Sequence, residues 1–304
     1  MASKILIAGG SGLIGSRLTE YLPQETEIHI LSRSKKTDQG RSKYFQWDTD
    51  AGTMDLAALE GVSVVINLAG AGVADKRWTA ARKHVLLESR TKSIETLAAG
   101  IGQSRAKPEL YVGASAIGYY GHTADKIKVE TDGSGTGFLA ELTEQWEAKQ
   151  ELIYPLVERN VLLRIGIVLS TKGGALREML KPAALGVYGY FGNGEAYYSW
   201  VHIDDICKMI VASMLDDNYD GIYNATAPEP LTIKELIKSV KQAKGGLGFV
   251  MPVPSLALKL GLGEMSSILT DSMRVLPKRL LDEGFAFDYR EPVQAIKDIL
   301  ERKV

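Results

Sequence analysis

The chain has 304 residues, 45% of them hydrophobic, and a formal net charge of −1; that balance offers no basic face for nucleic acid and no polybasic run beside an apolar helix for a membrane surface. Its one cysteine, Cys207, excludes an internal disulfide and a cysteine metal cluster. Residues 1–4 lead straight into an apolar strand, too short a leader for a signal peptide, and no apolar run reaches the roughly 18 to 20 residues of a spanning helix, so a soluble cytoplasmic protein is expected.

Short apolar runs then alternate with helical patterns. Residues 4–8 read as a buried parallel strand, 12–22 as a helix stopped near Pro23, 27–31 as a second strand, 44–47 as a weaker third and 63–69 as a fourth. A long amphipathic helix follows over 79–100, with Val85, Leu86, Ile94 and Leu97 on its core face. A fifth strand over 110–114, a helix over 137–156 and a sixth strand over 161–165 continue the alternation. Such alternation implies βαβ crossovers, so the expected fold class is α/β, a Rossmann-type doubly wound parallel sheet. Beyond Ser170, glycine and aromatics gather between Gly186 and Trp200, which predicts a loop-rich lobe. Thr232 and Glu235 form a capping box for a helix to about Lys244, closed by Gly245 and Gly246, and residues 251–304 read as mostly helical.

The strongest local signal is KILIAGGSGLIG over residues 4–15. An apolar strand runs into a glycine turn that opens a helix, the context in which GxGxxG spacing binds a dinucleotide. Gly9 permits the tight turn, Gly12 lets the backbone approach a diphosphate, and Gly15 lets the helix pack on the strand. Ser11, Leu13 and Ile14 complete the turn, whose free amides and helix dipole face the phosphates. A ligand-free glycine turn is the plain alternative. Which dinucleotide binds is decided after the second strand, where an acid would bond the ribose 2′-OH of NAD. Here Ser32, Arg33, Ser34, Lys35 and Lys36 follow, with no acid. Arg33 can grip a 2′-phosphate through two donors and Ser32 can add a hydrogen bond, which points to NADP(H). Solvated loop cations are the competing reading.

At this point the chain resembles the extended short-chain dehydrogenase/reductases. It is most similar to their atypical branch of "epimerase family" proteins, also labelled sugar-nucleotide epimerases, with a C-terminal extension of their own. The resemblance runs almost end to end and is carried by GGSGLIG at 9–15, NLAGAGVADKRW at 67–78, ESRTKSIETL at 88–97, SAIGYYG at 115–121, FLAELTEQWE at 138–147, SWVHIDD at 199–205 and VLPKRLLDEGFAF at 275–287. It implies a cleft in which Asp48 reaches the adenine, Asn67, Leu68, Ala69 and Gly70 pass under the ribose and diphosphate, and Ser115 sits beside the nicotinamide. It also implies a Rossmann domain over 1–170, to which a segment near 199–228 returns, and a substrate lobe with a helical extension over 171–304. For Asp48 and Ser115, ordinary turn chemistry is the alternative.

One departure matters for chemistry. Active members of the wider family carry Tyr-x-x-x-Lys on the helix after the fifth strand, where the lysine lowers the tyrosine pKa for proton transfer. The corresponding positions here are Phe138 and Leu142, and no tyrosine in the chain has a lysine four residues on. Tyr119 and Tyr120 are the candidate replacement donors, or a water held by Ser115. Both tyrosines also fit as aromatic walls. Glu141 is a further carboxylate on the same helix, one turn beyond Phe138, where a solvated position is the leading reading. Trp146 reads as core. Arg164, in the sixth strand, requires an anionic partner, for which Glu147 is available. Asp204 or Asp205 reads as an N-cap. His29 and His84 carry no signal, and no spacing suggests a metal. Lys76, Arg77 and Arg82 can hold an anionic substrate group, or be solvated. The aromatic stretch 186–198 suits a ring-shaped ligand or an oligomer contact, which keeps a homodimer open. Two functions remain: an NADP(H)-dependent oxidoreductase or epimerase acting on a small polar, sugar-nucleotide-like substrate, or an NADP(H)-binding sensor or scaffold without catalysis.

Overall fold

A computed structural model describes residues 4–105, 107–245 and 248–302. Its centre is one sheet of eight strands: β1 (Lys4–Ala8), β2 (Glu27–Ser32), β3 (Ser42–Asp48), β4 (Thr53–Met54), β5 (Val64–Asn67), β6 (Leu110–Ala116), β7 (Arg159–Ile165) and β8 (Gly221–Ala225). Their spatial order is β8-β7-β6-β5-β1-β2-β3-β4. Every neighbouring pair is parallel except β3 with β4. The order runs outward from β1 through β2, then restarts on its other side with β5. Loops leaving β1 and β5 therefore diverge and open a crevice at the carboxyl ends of the strands, where open α/β sheets bind ligands.

The alternation of β1 makes the layers. Ile5 and Ile7 enter one core with Leu18 of α1 (Leu13–Tyr21), while Leu6 and Ala8 enter another with Ile94 and Leu97 of α2 (Ala80–Gln103) and Trp146 of α3 (Phe138–Gln150). The first core also takes Ile206 and Ile210 of α4 (Ile203–Leu215). Helices thus cover both faces, the doubly wound arrangement. A third core joins Tyr188, Tyr198 and Trp200 to Leu236 and Val240 of α5 (Ile233–Ala243) and to Ile296 of α6 (Pro292–Glu301). The capping box of Thr232 and Glu235 is formed; Gly246, expected to help close α5, lies outside the described residues. No helix among the described residues is long and apolar enough to cross a membrane.

Several expectations are corrected. Val85 is 44% exposed, because the buried line of α2 runs through Leu86, Arg90, Ile94 and Leu97, one residue out of phase with it. The helix expected to Leu156 stops at Gln150, and Pro155 sits in a separate 3-10 turn, Tyr154–Leu156. Residues 186–198 do not form an adaptable loop. Val187–Phe191 is a strand paired in parallel with Phe249–Val253, and Tyr188 and Tyr198 are buried. Neither Asp204 nor Asp205 caps α4; the His202 ring accepts the Asp204 N–H instead.

Those aspartates tie down the C-terminal segment. Asp204 accepts from Arg17 of α1 at 2.6 and 3.0 Å and from Arg302 at 2.5 and 3.0 Å. Asp205 accepts from the backbone N–H groups of Asp288 and Tyr289. Between them His202 is fully buried and stacked on Tyr289. Burial outweighs the nearby Asp204 and Asp298 and pushes the His202 imidazole down from 6.5 to about 4. Below about pH 6.5 the unfolded chain therefore takes up a proton that folded His202 refuses, and stability falls as the pH drops toward about 4. Urea midpoints measured across that window are expected to decline for the wild type and to decline less for His202→Asn, which keeps a capping side chain; equal slopes would contradict this.

Candidate functional site

The glycine turn is packed to its limit at Gly9 and Gly15 and exposed at Ser11 and Gly12. A Cβ on Gly9, which adopts φ +84°, would lie 2.7 Å from the Leu68 carbonyl carbon, and one on Gly15 would lie 2.4 Å from the Gly9 oxygen. Only glycine fits either place. Gly12 differs: it has an ordinary extended conformation, φ −77°, and a Cβ there would approach nothing closer than the Gly9 oxygen at 3.2 Å. Gly12 is also the N-cap of α1 and no side chain caps that helix. The first-turn amides after Gly12, on Leu13, Ile14 and Gly15, therefore border an open cradle beside exposed Ser11. An anion of the size of a phosphate fits this donor set.

The neighbouring strand ends frame the cradle. Ser32 closes β2, and Arg33 just past it is exposed with no ion-pair partner among the described residues. Asp48 ends β3 and its Oδ1 accepts the N–H groups of Asp50 and Ala51, a turn-closing role. Asn67 ends β5 and braces its own loop: Oδ1 accepts the Ala69 N–H at 3.1 Å and Nδ2 donates to Tyr111 Oη at 3.4 Å. Leu68 N–H donates to Ala8 O at 2.9 Å, which fixes Leu68, Ala69 and Gly70 against the turn.

Beneath Gly70 lies a residue that sequence reasoning missed. Arg90 is 8% exposed, bonds only carbonyls, and has its guanidinium carbon 3.2 Å from where a Gly70 Cβ would stand. Burial, with the charge of Arg82, pushes it down to about 10. The available signal was a cation in phase with Leu86, Ile94 and Leu97 on the apolar face of α2.

Past β6, a buried polar network takes up most of the candidate proton-transfer groups. Ser115 is 2% exposed, and its hydroxyl donates to Glu147 Oε1. Glu147 accepts two bonds from Arg164 at 2.8 and 2.9 Å, the partner expected for that strand arginine. Arg164 also donates to Tyr120 Oη at 2.9 Å, and Tyr120 donates to Asn224 Oδ1 at 2.8 Å. Burial pushes the Tyr120 phenol up to about 12. Tyr119 is different: its ring centroid lies 3.6 Å from the Arg164 guanidinium carbon and its hydroxyl has no hydrogen-bond partner among the described residues. Glu141 is exposed, as is His84, while His29 is buried against the Ala58 carbonyl.

With this geometry in view, residues 5–143 match the NAD dependent epimerase/dehydratase family and residues 253–299 match a domain of unknown function, DUF1731. The epimerase family protein Mb2239 of Mycobacterium bovis is 34% identical over 293 residues, 96% of each chain. The epimerase family protein YfhF of Bacillus subtilis is 32% identical over 299 residues, 97% of each chain. The chain belongs to the epimerase family proteins. Among solved structures, the human epimerase family protein SDR39U1 with NADPH superposes with a TM-score of 0.88 at 28% identity, covering 99% of this chain and 100% of that one. A nucleoside-diphosphate sugar epimerase from Corynebacterium glutamicum gives 0.77 at 28% identity, covering 99% of this chain and 58% of that one.

In this epimerase family member the helix that would carry Tyr-x-x-x-Lys does other work. Phe138 meets Trp78 edge-on at 4.7 Å, under the Lys83 ammonium, and Leu142 is buried in the same cluster. These positions pack with Leu262 and Met265 of the C-terminal segment. Among the described residues no group of three or more metal-capable side chains is present. The network makes a quantitative prediction. Glu147→Ala leaves the Arg164 guanidinium buried without an anion, and denaturant unfolding should show a loss of about 3 to 5 kcal/mol; a loss below about 1 kcal/mol, the range of an exposed pair, would contradict it.

Proposed function

We propose that this chain binds NADP(H) across the carboxyl ends of its strands and is an oxidoreductase of the epimerase type for a small polar substrate. The open, uncapped cradle at Gly12 carries the reading: the amides of Leu13, Ile14 and Gly15 hold the diphosphate, and Gly9 and Ser11 shape the turn. Leu68, Ala69 and Gly70, braced by Asn67, lie under the adenosine side, where Asp48 can meet the adenine through its second carboxylate oxygen. Arg33, free of any ion pair among the described residues, takes the 2′-phosphate with Ser32 beside it. The human relative whose structure is described with NADPH supports this choice of dinucleotide. The Corynebacterium glutamicum relative, described as a nucleoside-diphosphate sugar epimerase, supports a sugar-nucleotide-like substrate.

When bound, the nicotinamide supplies or accepts a hydride. Proton transfer is assigned to Tyr119, whose free phenol gives its proton to, or receives one from, the oxygen that changes between carbonyl and hydroxyl. Tyr120 is a positioning residue, with its hydroxyl committed to Asn224 and Arg164. Ser115 has given its only proton to Glu147, so it can offer lone pairs but no donor. A second reading, a non-catalytic NADP(H) sensor, is favoured by Phe138 and Leu142 standing where Tyr and Lys would stand. Turnover separates the two: NADPH oxidation with a panel of carbonyl compounds and sugar nucleotides, lost in Tyr119→Phe, supports the enzyme, and no oxidation by the wild type leaves the sensor.

The cofactor assignment has its own test. In calorimetric titrations NADPH should bind more tightly than NADH, and Arg33→Ala should remove most of that preference, about 2 kcal/mol or on the order of 30-fold for a charge-assisted phosphate contact. Equal affinities for both dinucleotides in the wild type would contradict the 2′-phosphate assignment.

A further inference from the structure

Two guanidinium groups of α2, those of Arg82 and Arg90, reach the loop after β5 with no carboxylate between them among the described residues. Arg82 Nη2 donates to the Gly72 carbonyl at 2.6 Å, and Arg90 Nη1 donates to the adjacent Ala71 carbonyl at 3.1 Å. The Nε atoms of both are buried and have no hydrogen-bond partner among the described residues, and the Arg90 guanidinium carbon lies 4.8 Å from the Trp146 ring centroid. Among the described residues the one carboxylate paired with either is Asp75, 3.8 Å from Arg82 and 69% exposed, whereas the Arg82 side chain is 13% exposed. A pair so long and so wet contributes little. Carbonyls satisfy N–H groups but bring no negative charge, and two buried like charges side by side are costly. The strain on the pair shows in Arg90, which burial and then the Arg82 charge bring down to about 10.

Their positions differ. Arg90 lies under Gly70, on the side of the glycine turn. Arg82 lies toward the C-terminal segment. Its chain neighbour Lys83 donates to Glu264 at 2.6 Å, and Arg77 packs on Gly263, where a Cβ would be 2.8 Å from its Nη2. This is the junction of the cofactor loop with the lobe that closes over Trp78 and Phe138.

We infer that Arg82 seats an oxyanion carried by the substrate, a phosphate or carboxylate group separate from the cofactor's diphosphate, with Arg90 adding positive charge behind it. Arg82 is the half-buried member of the pair and keeps Nη N–H donors beyond the one given to Gly72, so the outer end of its planar guanidinium can grip such a group. The inference rests on the NADP(H) reading for which end of the cleft is the substrate's.

The test titrates inorganic phosphate into the protein with and without saturating NADPH, followed by calorimetry. NADPH-saturated wild type should take up phosphate in the millimolar range. Arg82→Gln should weaken that uptake about tenfold, the worth of one charge-assisted contact, while NADPH affinity moves by less than about threefold. Three results overturn the inference: phosphate displaced by NADPH, phosphate bound equally by Arg82→Gln, or a matching loss of NADPH affinity in that variant. Should the wild type take up no NADPH, the functional reading falls alone, and Arg82-dependent phosphate uptake by the bare chain still supports the seat; no phosphate uptake by the wild type overturns it.

Discussion

The site depends on how closely two loops approach each other. β1 and β5 are adjacent parallel strands, with Ile7 beside Ile66 and Ala8 beside Asn67. Their chains leave the sheet at the same end, and the Leu68 N–H continues the ladder onto Ala8 O. At that point the turn at Gly9 touches the Leu68–Ala69 backbone with no room for a Cβ, and α1 touches the turn at Gly15 with none either. Because the packing is backbone on backbone, the first amides of α1 are held rigidly beside the loop that ends in Gly70. A dinucleotide needs that fixed juxtaposition, since its diphosphate and its ribose are covalently joined.

A second rigid body lies below the reacting end of the cleft. Ser115, Glu147, Arg164, Tyr120 and Asn224 form one chain of hydrogen bonds through β6, α3, β7 and β8. Asn224 passes it on to the C-terminal segment through Leu276 O, and buried Glu130 joins the Asn224 and Arg279 N–H groups. The segment matching the domain of unknown function is thus stitched to the floor of the cleft. Such a network fixes geometry well and leaves few groups free to exchange protons. That is the physical reason the proposed proton donor is Tyr119.

What was legible in the sequence was local or periodic. The glycine spacing after an apolar strand, the strand and helix alternation, and the need of Arg164 for an acid all rest on neighbours along the chain or on a simple burial rule. What escaped was set by distant partners or by helix phase. Val187–Phe249 pairing joins segments some sixty residues apart, so aromatics at 188–198 looked like a loop. Val85 faces out and Arg90 faces in with Leu86, because a shift of one residue turns a helix position by about 100°. Asp204 and Asp205 stand inside the first turn of α4, past the His202 cap, and are drawn to Arg17, Arg302 and the backbone of Asp288 and Tyr289, all supplied by other parts of the fold. The Ser115 bond to Glu147 spans 32 residues and has no signature in spacing.

The proposed cofactor site stands or falls with the bare main-chain amides at the first turn of α1, which would hold the diphosphate. Gly12 offers the most direct measurement, because its backbone accepts a side chain that the ligand does not. NADPH titrations of wild type and Gly12→Val, with unfolding curves for both, decide it. The account predicts uptake by the wild type, near-wild-type folding of the variant, and a loss of NADPH affinity of at least about a hundredfold as the valine fills the phosphate's place. A folded Gly12→Val chain that still takes up NADPH as the wild type does would contradict it.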